Sequence, residues 1–192
     1  MVKNCFNNVR FILSAPKIEQ LPADEGREIV FSGYSNVGKS STLNAVTRSK
    51  QLARVSKTPG RTQCLNVFEV ASNQRFIDLP GFGFAKVPKK MRDQWHETLD
   101  RYLKERKSLM AVVLIMDIRR ILRPFEMDMI DWAMQSNLKL HIVLNKADKL
   151  KKQQIKIVTD EMRCMLNDHK YEASVQTLST LKNEGVEVIT KK

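Results

Sequence analysis

A three-layer α/β fold with a mainly parallel six-stranded sheet is predicted by three features of the sequence. Short β-branched apolar runs alternate with longer amphipathic segments, the pattern of strands joined by crossover helices. Residues 109–116 are continuously apolar, as buried parallel strands are, and 138–144 read as another buried strand. Polar loops follow these strands, and in such sheets ligands gather at the C-terminal strand ends. The 192 residues, 42% of them apolar, are enough for the core of one domain.

Residues 1–27 read as an N-terminal extension, in which Phe6, Val9, Phe11, Ile12 and Leu13 would pack as an edge strand or short helix. Residues 28–192 form the domain proper. Its first strand, 28–32, enters Gly33-Tyr34-Ser35-Asn36-Val37-Gly38-Lys39-Ser40, which fits the phosphate-binding pattern G-x-x-x-x-G-K-[ST] between a strand and a helix start. Glycines let several N–H groups converge on one hollow, and the helix N-terminus adds partial positive charge. Lys39 would reach the β- and γ-phosphates. The Ser40 hydroxyl would bind Mg²⁺, a hard cation that takes oxygen ligands. Residues 49–63 are polar and irregular, and Pro59-Gly60 excludes a regular element there. A loop in that place lies over the phosphates, and Thr58 and Thr62 are both candidates to complete the Mg²⁺ shell.

Residues 65–70 and 75–77 form a hairpin ending at Asp78-Leu79-Pro80-Gly81. A carboxylate at that strand end can hold Mg²⁺ directly or through water, and Gly81 lets its N–H approach a γ-phosphate. Residues 82–88 form a Gly-bearing apolar loop. Residues 91–107 read as an amphipathic helix with Trp95, Leu99, Tyr102 and Leu103 at helical spacing. After the strand 109–116 comes the basic loop from Asp117, and Pro124 opens the next helix. The strand 138–144 ends at Asn145-Lys146-Ala147-Asp148. An Asp carboxylate in the base plane accepts from N1–H and N2–H₂ of guanine. Adenine presents an acceptor and a C–H there, so the wrong base loses about 1.5–3 kcal/mol per charge-assisted bond. Asn145 would tie the base to the phosphate loop, and the Lys146 stem would cover the ring. A helix over 153–167 and a last strand over 174–178 follow, and the backbone of Leu178, Ser179 and Thr180 would face guanine O6.

Thirty-three Lys and Arg against 21 Asp and Glu leave a net charge of +12. One nucleotide cannot balance that excess, and RNA can. Cys5, Cys64 and Cys164 show neither pairing nor metal spacing, and His96, His141 and His169 are equally scattered. No signal segment or membrane span is visible, which points to a cytoplasmic protein.

These segments, in this order, resemble the translation-factor-related small GTPases, and within them the EngB/YihA (YsxC) family, with a Ras-like G domain. The resemblance rests on 33–41, on Thr58-Pro59-Gly60-Arg61-Thr62-Gln63, on Asp78-Leu79-Pro80-Gly81-Phe82-Gly83, on Met116-Asp117-Ile118-Arg119 and on Asn145-Lys146-Ala147-Asp148. It implies GTP or GDP as ligand, contacted also by Gly60, Arg61, Gln63 and Cys64, with Mg²⁺ on Ser40 and Thr62. It implies a monomeric switch that assists assembly of the large ribosomal subunit through rRNA and is required for normal cell division and septation. The catalytic set would be Lys39, Thr62, Gly81 and Asn36, the last holding K⁺ as related GTPases do. Phe82 stands where Ras-like proteins place a water-orienting glutamine, so hydrolysis would be slow. Tyr34 stands where the family usually has arginine, at a position expected to contribute backbone mainly. Only seven residues follow Gly185, which implies a shortened last helix and an under-covered sheet face. The competing readings are a P-loop kinase or ATPase, against which Asp148 argues, and an RNA- or ribosome-binding module that holds nucleotide without regulated hydrolysis.

Overall fold

Alternation of side chains along the central strands divides the molecule into three layers. In the computed structural model, residues 6, 8–49, 51–53, 64–83 and 89–189 are described, with backbone alone for 89–96. The strands are β1 (Arg10–Ala15), β2 (Arg27–Ser32), β3 (Leu65–Ala71), β4 (Gln74–Asp78), β5 (Leu109–Asp117), β6 (Lys139–Asn145) and β7 (Ala173–Thr177). The helices are α1 (Lys39–Val46), α2 (Lys89–Glu105), α3 (Pro124–Gln135), α4 (Lys152–Asp168) and the four-residue α5 (Val186–Ile189).

Among the described residues the sheet has seven strands in the order β1-β3-β4-β2-β5-β6-β7. The five from β4 to β7 are parallel, and β3 and β1 extend that edge antiparallel. The three-layer, mainly parallel architecture is therefore as expected, with one strand more than the six. The addition is β1, which pairs with β3 despite a register shift between Phe11 and Leu13. That bulge and the exposure of Phe11 and Ile12 blur the alternation that would mark a strand in sequence.

Along β5, Val112, Leu114 and Met116 point into the core under α2, α3 and α4, with Leu99, Tyr102, Met129, Ile130, Met162 and Leu166. Val113 and Ile115 point the other way, to Phe31, Leu43 and Val46 of the α1 layer, where Ile189 of α5 also packs. Period-2 burial on both faces explains why the strand reads as an unbroken apolar run. Trp95 lies among the side chains outside the description. No helix of the described residues is long and apolar enough to cross a membrane.

The N-terminal strand ends are held by a buried charge cluster. Glu28 is fully buried at the start of β2. Arg106 donates to it through Nη2 at 2.6 Å and Nε at 3.0 Å, Arg75 at 3.1 Å and the Tyr102 hydroxyl at 2.9 Å. Burial and the Glu28 charge push the Tyr102 phenol well above its usual range, so it stays a donor. Beside it, Asp24 accepts from the N–H groups of Lys107 at 3.0 Å and Ser108 at 2.8 Å. Partial burial raises the Asp24 carboxyl, but these N–H groups outweigh it and lower it from 3.8 to about 2.

Glu28→Gln leaves two guanidinium groups without their carboxylate and should cost about 3–5 kcal/mol. Urea denaturation checks this, and a loss under about 1 kcal/mol would deny the cluster its role. Asp24 has a folded pKa below its unfolded one, so its stabilisation is complete above about pH 4 and fades as pH falls through 2. Allowing for its partial exposure, Asp24→Asn should cost about 1 kcal/mol at pH 7. Urea midpoints at pH 7, 5 and 3 should show the gap between the two proteins constant at first and then narrowing.

Candidate nucleotide-binding site

β2 ends at Ser32, and the chain turns through residues 33–38 before α1 begins at Lys39. The turn takes positive φ at three residues, Gly33 at 151°, Asn36 at 65° and Gly38 at 98°. Asn tolerates that region. Gly38 is required for a second reason, since a Cβ there would run into the side-chain amide of Asn145. Lys39 is buried and its ammonium is ion-paired with Asp78, at the end of β4. The register of β2 with β4, Phe31 opposite Asp78, sets the two together. Ser40 follows Lys39 in the first turn of α1, half-buried. Among the described residues no three His, Cys, Asp or Glu side chains gather as metal ligands. The donors present, the Ser40 hydroxyl and the Asp78 carboxylate, are hard oxygens, which suits Mg²⁺ held largely by phosphate oxygens and water.

The loop after β6 is hydrogen-bonded to the phosphate loop at two points. Asn145 Nδ2 donates to the Val37 carbonyl at 2.8 Å, and Lys146 Nζ donates to the Asn36 carbonyl at 2.5 Å. Lys146 takes a left-handed φ of 64° and pairs with Asp117 at 3.0 Å. Asp117 is also gripped by Arg119, Nε to Oδ1 at 2.9 Å and Nη2 to Oδ2 at 2.7 Å. The Arg119 guanidinium, with Lys146, holds the Asp117 carboxyl far below its usual range despite partial burial. In sequence Asp117 and Arg119 stand in a basic loop and in a motif of the family resemblance, with no site role assigned; the structure makes them the support of Lys146. Asp148 accepts from the Ser179 hydroxyl at 2.8 Å and pairs with Lys149 at 3.3 Å. The Ser179 bond, then Lys149, lowers its carboxyl below the ordinary value, so it is an ionised acceptor. Ala147 N–H bonds to Leu178 O at 3.0 Å, which seats Leu178, Ser179 and Thr180 against this loop.

Leu79 is buried and donates its N–H to Phe31 O at 3.0 Å. Pro80 and Gly81 follow, half-buried, and a Cβ on Gly81 would meet the backbone of Ser35. Ser35 N–H donates to Phe82 O at 2.7 Å, and Phe82 N–H to Gly33 O at 3.3 Å. The Phe82 ring is buried in a stack on Phe125 of α3. Tyr34 departs from expectation, because its side chain is engaged as well as its backbone. Its ring lies 3.6 Å under the Arg123 guanidinium and edge-on to Phe125, and its hydroxyl accepts from Phe125 N–H at 3.3 Å. Cys64, a half-buried thiol, immediately precedes β3. Thr58, Gly60, Arg61, Thr62 and Gln63 lie outside the described residues.

Comparison with known proteins agrees with this geometry. A family model described as 50S ribosome-binding GTPase matches residues 28–146. The probable GTP-binding protein EngB of Escherichia coli strain K12 is 44% identical over 191 residues, 97% of this chain and 89% of that protein. The crystal structure of a probable GTP-binding protein engB matches with TM-score 0.68 at 23% identity, over 85% of this chain and 95% of that one. NFeoB from S. thermophilus, solved bound to GDP.AlF4- and K+, matches with TM-score 0.60 at 24% identity, over 86% of this chain and 60% of that one. The chain belongs to the EngB family of GTP-binding proteins, and it is a GTPase.

Proposed function

We propose that this GTPase is a guanine-nucleotide switch acting on the large ribosomal subunit during its assembly. The observation that carries the reading is the bonding of the Asn145–Asp148 loop and the start of the Gly81–Phe82 segment onto the same phosphate loop. One site can then both read the base and move a segment with the state of the phosphates. The ribosomal partner is supported by the description of the matching family and by a net charge of +12. The requirement for normal division and septation then follows from the supply of ribosomes, in a monomeric cytoplasmic protein.

In this reading Asp148 accepts from guanine, and Asn145 and Lys146 hold the base loop on Val37 and Asn36. Leu178, Ser179 and Thr180 flank the base. Residues 33–40, Asp78 to Gly81 and Gly60 to Cys64 surround the phosphates. Ser40 and Thr62 would hold Mg²⁺, which would supply neutralisation of phosphate charge. Lys39, now on Asp78, is the cation that a γ-phosphate would compete for. Phe82, buried against Phe125, orients no water, so intrinsic turnover falls below the roughly 10⁻⁴ s⁻¹ of unassisted Ras. Asn36 contributes to a K⁺ site, as the K⁺ bound to NFeoB suggests for a related fold.

Asp148→Ala should weaken binding of fluorescent GDP by on the order of 100-fold or more, with ADP binding unchanged and weak. Equal affinity for ADP and GDP in the natural chain would replace the reading with an ATPase. Phosphate release measured in KCl and in NaCl should be faster in KCl, and Asn36→Ala should abolish the difference. Sedimentation with large ribosomal subunits should retain the chain with a non-hydrolysable GTP analogue and release it with GDP. Equal retention in both states would leave a binding module without a switch.

A further inference from the structure

In the loops at the C-terminal end of the sheet exposed cations outnumber the carboxylates. At the N-terminal strand ends, Arg75 and Arg106 are bound to Glu28. At the C-terminal ends, three loops surround the base-reading side of the site, because β5, β6 and β7 are neighbours in the sheet. Arg120 stands in the first loop, Lys149 and Lys151 in the second and Lys182 in the third. Lys152 and Lys156 continue the second loop into α4, and all six are exposed. Among the described residues only Lys149 of these six has an ion-pair partner, Asp148. Residues 118–123, 146–151 and 178–185 contain two carboxylates, Asp148 and the exposed Glu184.

This placement opposes the local electrostatics. The partial positive charge at a helix N-terminus favours carboxylates there and repels cations. The first turn of α4 has no acidic residue. It begins Lys151-Lys152 instead, with Lys149 just before and Lys156 one turn on. Such mutual repulsion finds its balance in an anion outside the chain. The same segments contain no Phe, Tyr or Trp, so they offer no platform for stacking the bases of a single strand. Lysine and arginine without aromatics suit the phosphates of a structured duplex, read by shape and backbone.

We infer that this rim is where the chain docks double-stranded RNA through its phosphate backbone. The inference rests on the ribosomal reading above and narrows it. It assigns the electrostatic contact to the base-reading side of the nucleotide site and leaves the distinction between GTP and GDP to the Gly81 side.

The test compares two triple charge reversals in the full chain. The rim variant is K151E/K152E/K156E. The control, R27E/K139E/K170E, changes exposed cations at the opposite strand ends. Each set makes three reversals of two charges and so lowers the net charge by about six. Both variants should bind fluorescent GDP as the natural chain does, since none of these residues belongs to the nucleotide site. On a labelled RNA duplex of about 16 base pairs, followed by fluorescence anisotropy, the rim variant should bind at least about tenfold more weakly. Its slope of log affinity against log salt should fall by about two. The control should bind within about threefold of the natural chain. The rim variant should also melt a few degrees higher, because glutamates there suit the helix dipole.

Equal losses in the two variants would reduce the effect to net charge and overturn the assignment. So would an unimpaired rim variant, or a natural chain that does not bind the duplex. Binding to phosphatidylglycerol vesicles that is lost with the rim, while duplex binding is untouched, would make the surface a membrane contact and equally overturn it. A natural chain that binds the duplex through the rim but does not sediment with large subunits would sink the ribosomal reading and leave the rim standing.

Discussion

The hydrogen bond from Asn145 to the Val37 carbonyl joins the two halves of the nucleotide site, and the surrounding architecture serves that contact. Val37 follows β2, and Asn145 ends β6, two strands away across β5. The contact therefore depends on parallel register carried through three strands. Asp117 stands opposite Asn145 in the β5–β6 pairing, which places the support of Lys146 beside the residue that precedes it. Gly38 completes the fit by having no side chain where Asn145 passes. A shift of register by one residue would turn Asn145 to the other face and break both loops' attachment at once.

Charge is arranged differently at the two ends of the sheet. At the N-terminal ends, Glu28 satisfies Arg75, Arg106 and Tyr102 in a buried cluster whose members all have partners. At the C-terminal ends the groups are poised for ligand. Lys39 is ion-paired with the Asp78 carboxylate, and Asp148 is kept ionised by the Ser179 hydroxyl. Asn36 and Lys146 take left-handed backbone conformations, which asparagine tolerates and which cost Lys146 about 1–2 kcal/mol. The rigid end offsets that cost. Strain of this kind persists only where the surroundings over-determine it.

The sequence foretold the parts whose chemistry is local. The strand–loop–helix at 28–46 and the strand ends at Asp78 and Asn145 carry residues that each have a reason to be where they are. Helix α3 begins at Pro124 as expected, because proline both fits the first turn and marks it. What stayed hidden depends on partners far apart in the chain. Glu28 finds Arg75, Tyr102 and Arg106 only after folding, and a Glu at a strand start reads as solvated. Strand β1 was one of two possibilities for its segment, since its bulge and exposed Phe11 and Ile12 break alternation. Tyr34 looked like a backbone position, because nothing in the loop's own sequence announces Arg123 and Phe125 from the far side of β5.

Tyr34 also shows how the nucleotide loop connects to the body of the protein. The Phe82 backbone is bonded to Gly33 and Ser35 on either side of Tyr34, and its ring stacks on the same Phe125 that Tyr34 meets edge-on. The phosphate loop, the Gly81–Phe82 segment and the start of α3 therefore share one aromatic contact. Any movement of Gly81 toward a γ-phosphate acts on that contact through the adjacent Phe82. Arg123 lies over the Tyr34 ring and is bonded to the buried Glu126, so α3 is the element that would receive the displacement. The loop that carries Arg123 also carries Arg120, which places the aromatic contact and the basic rim on the same short connection between β5 and α3.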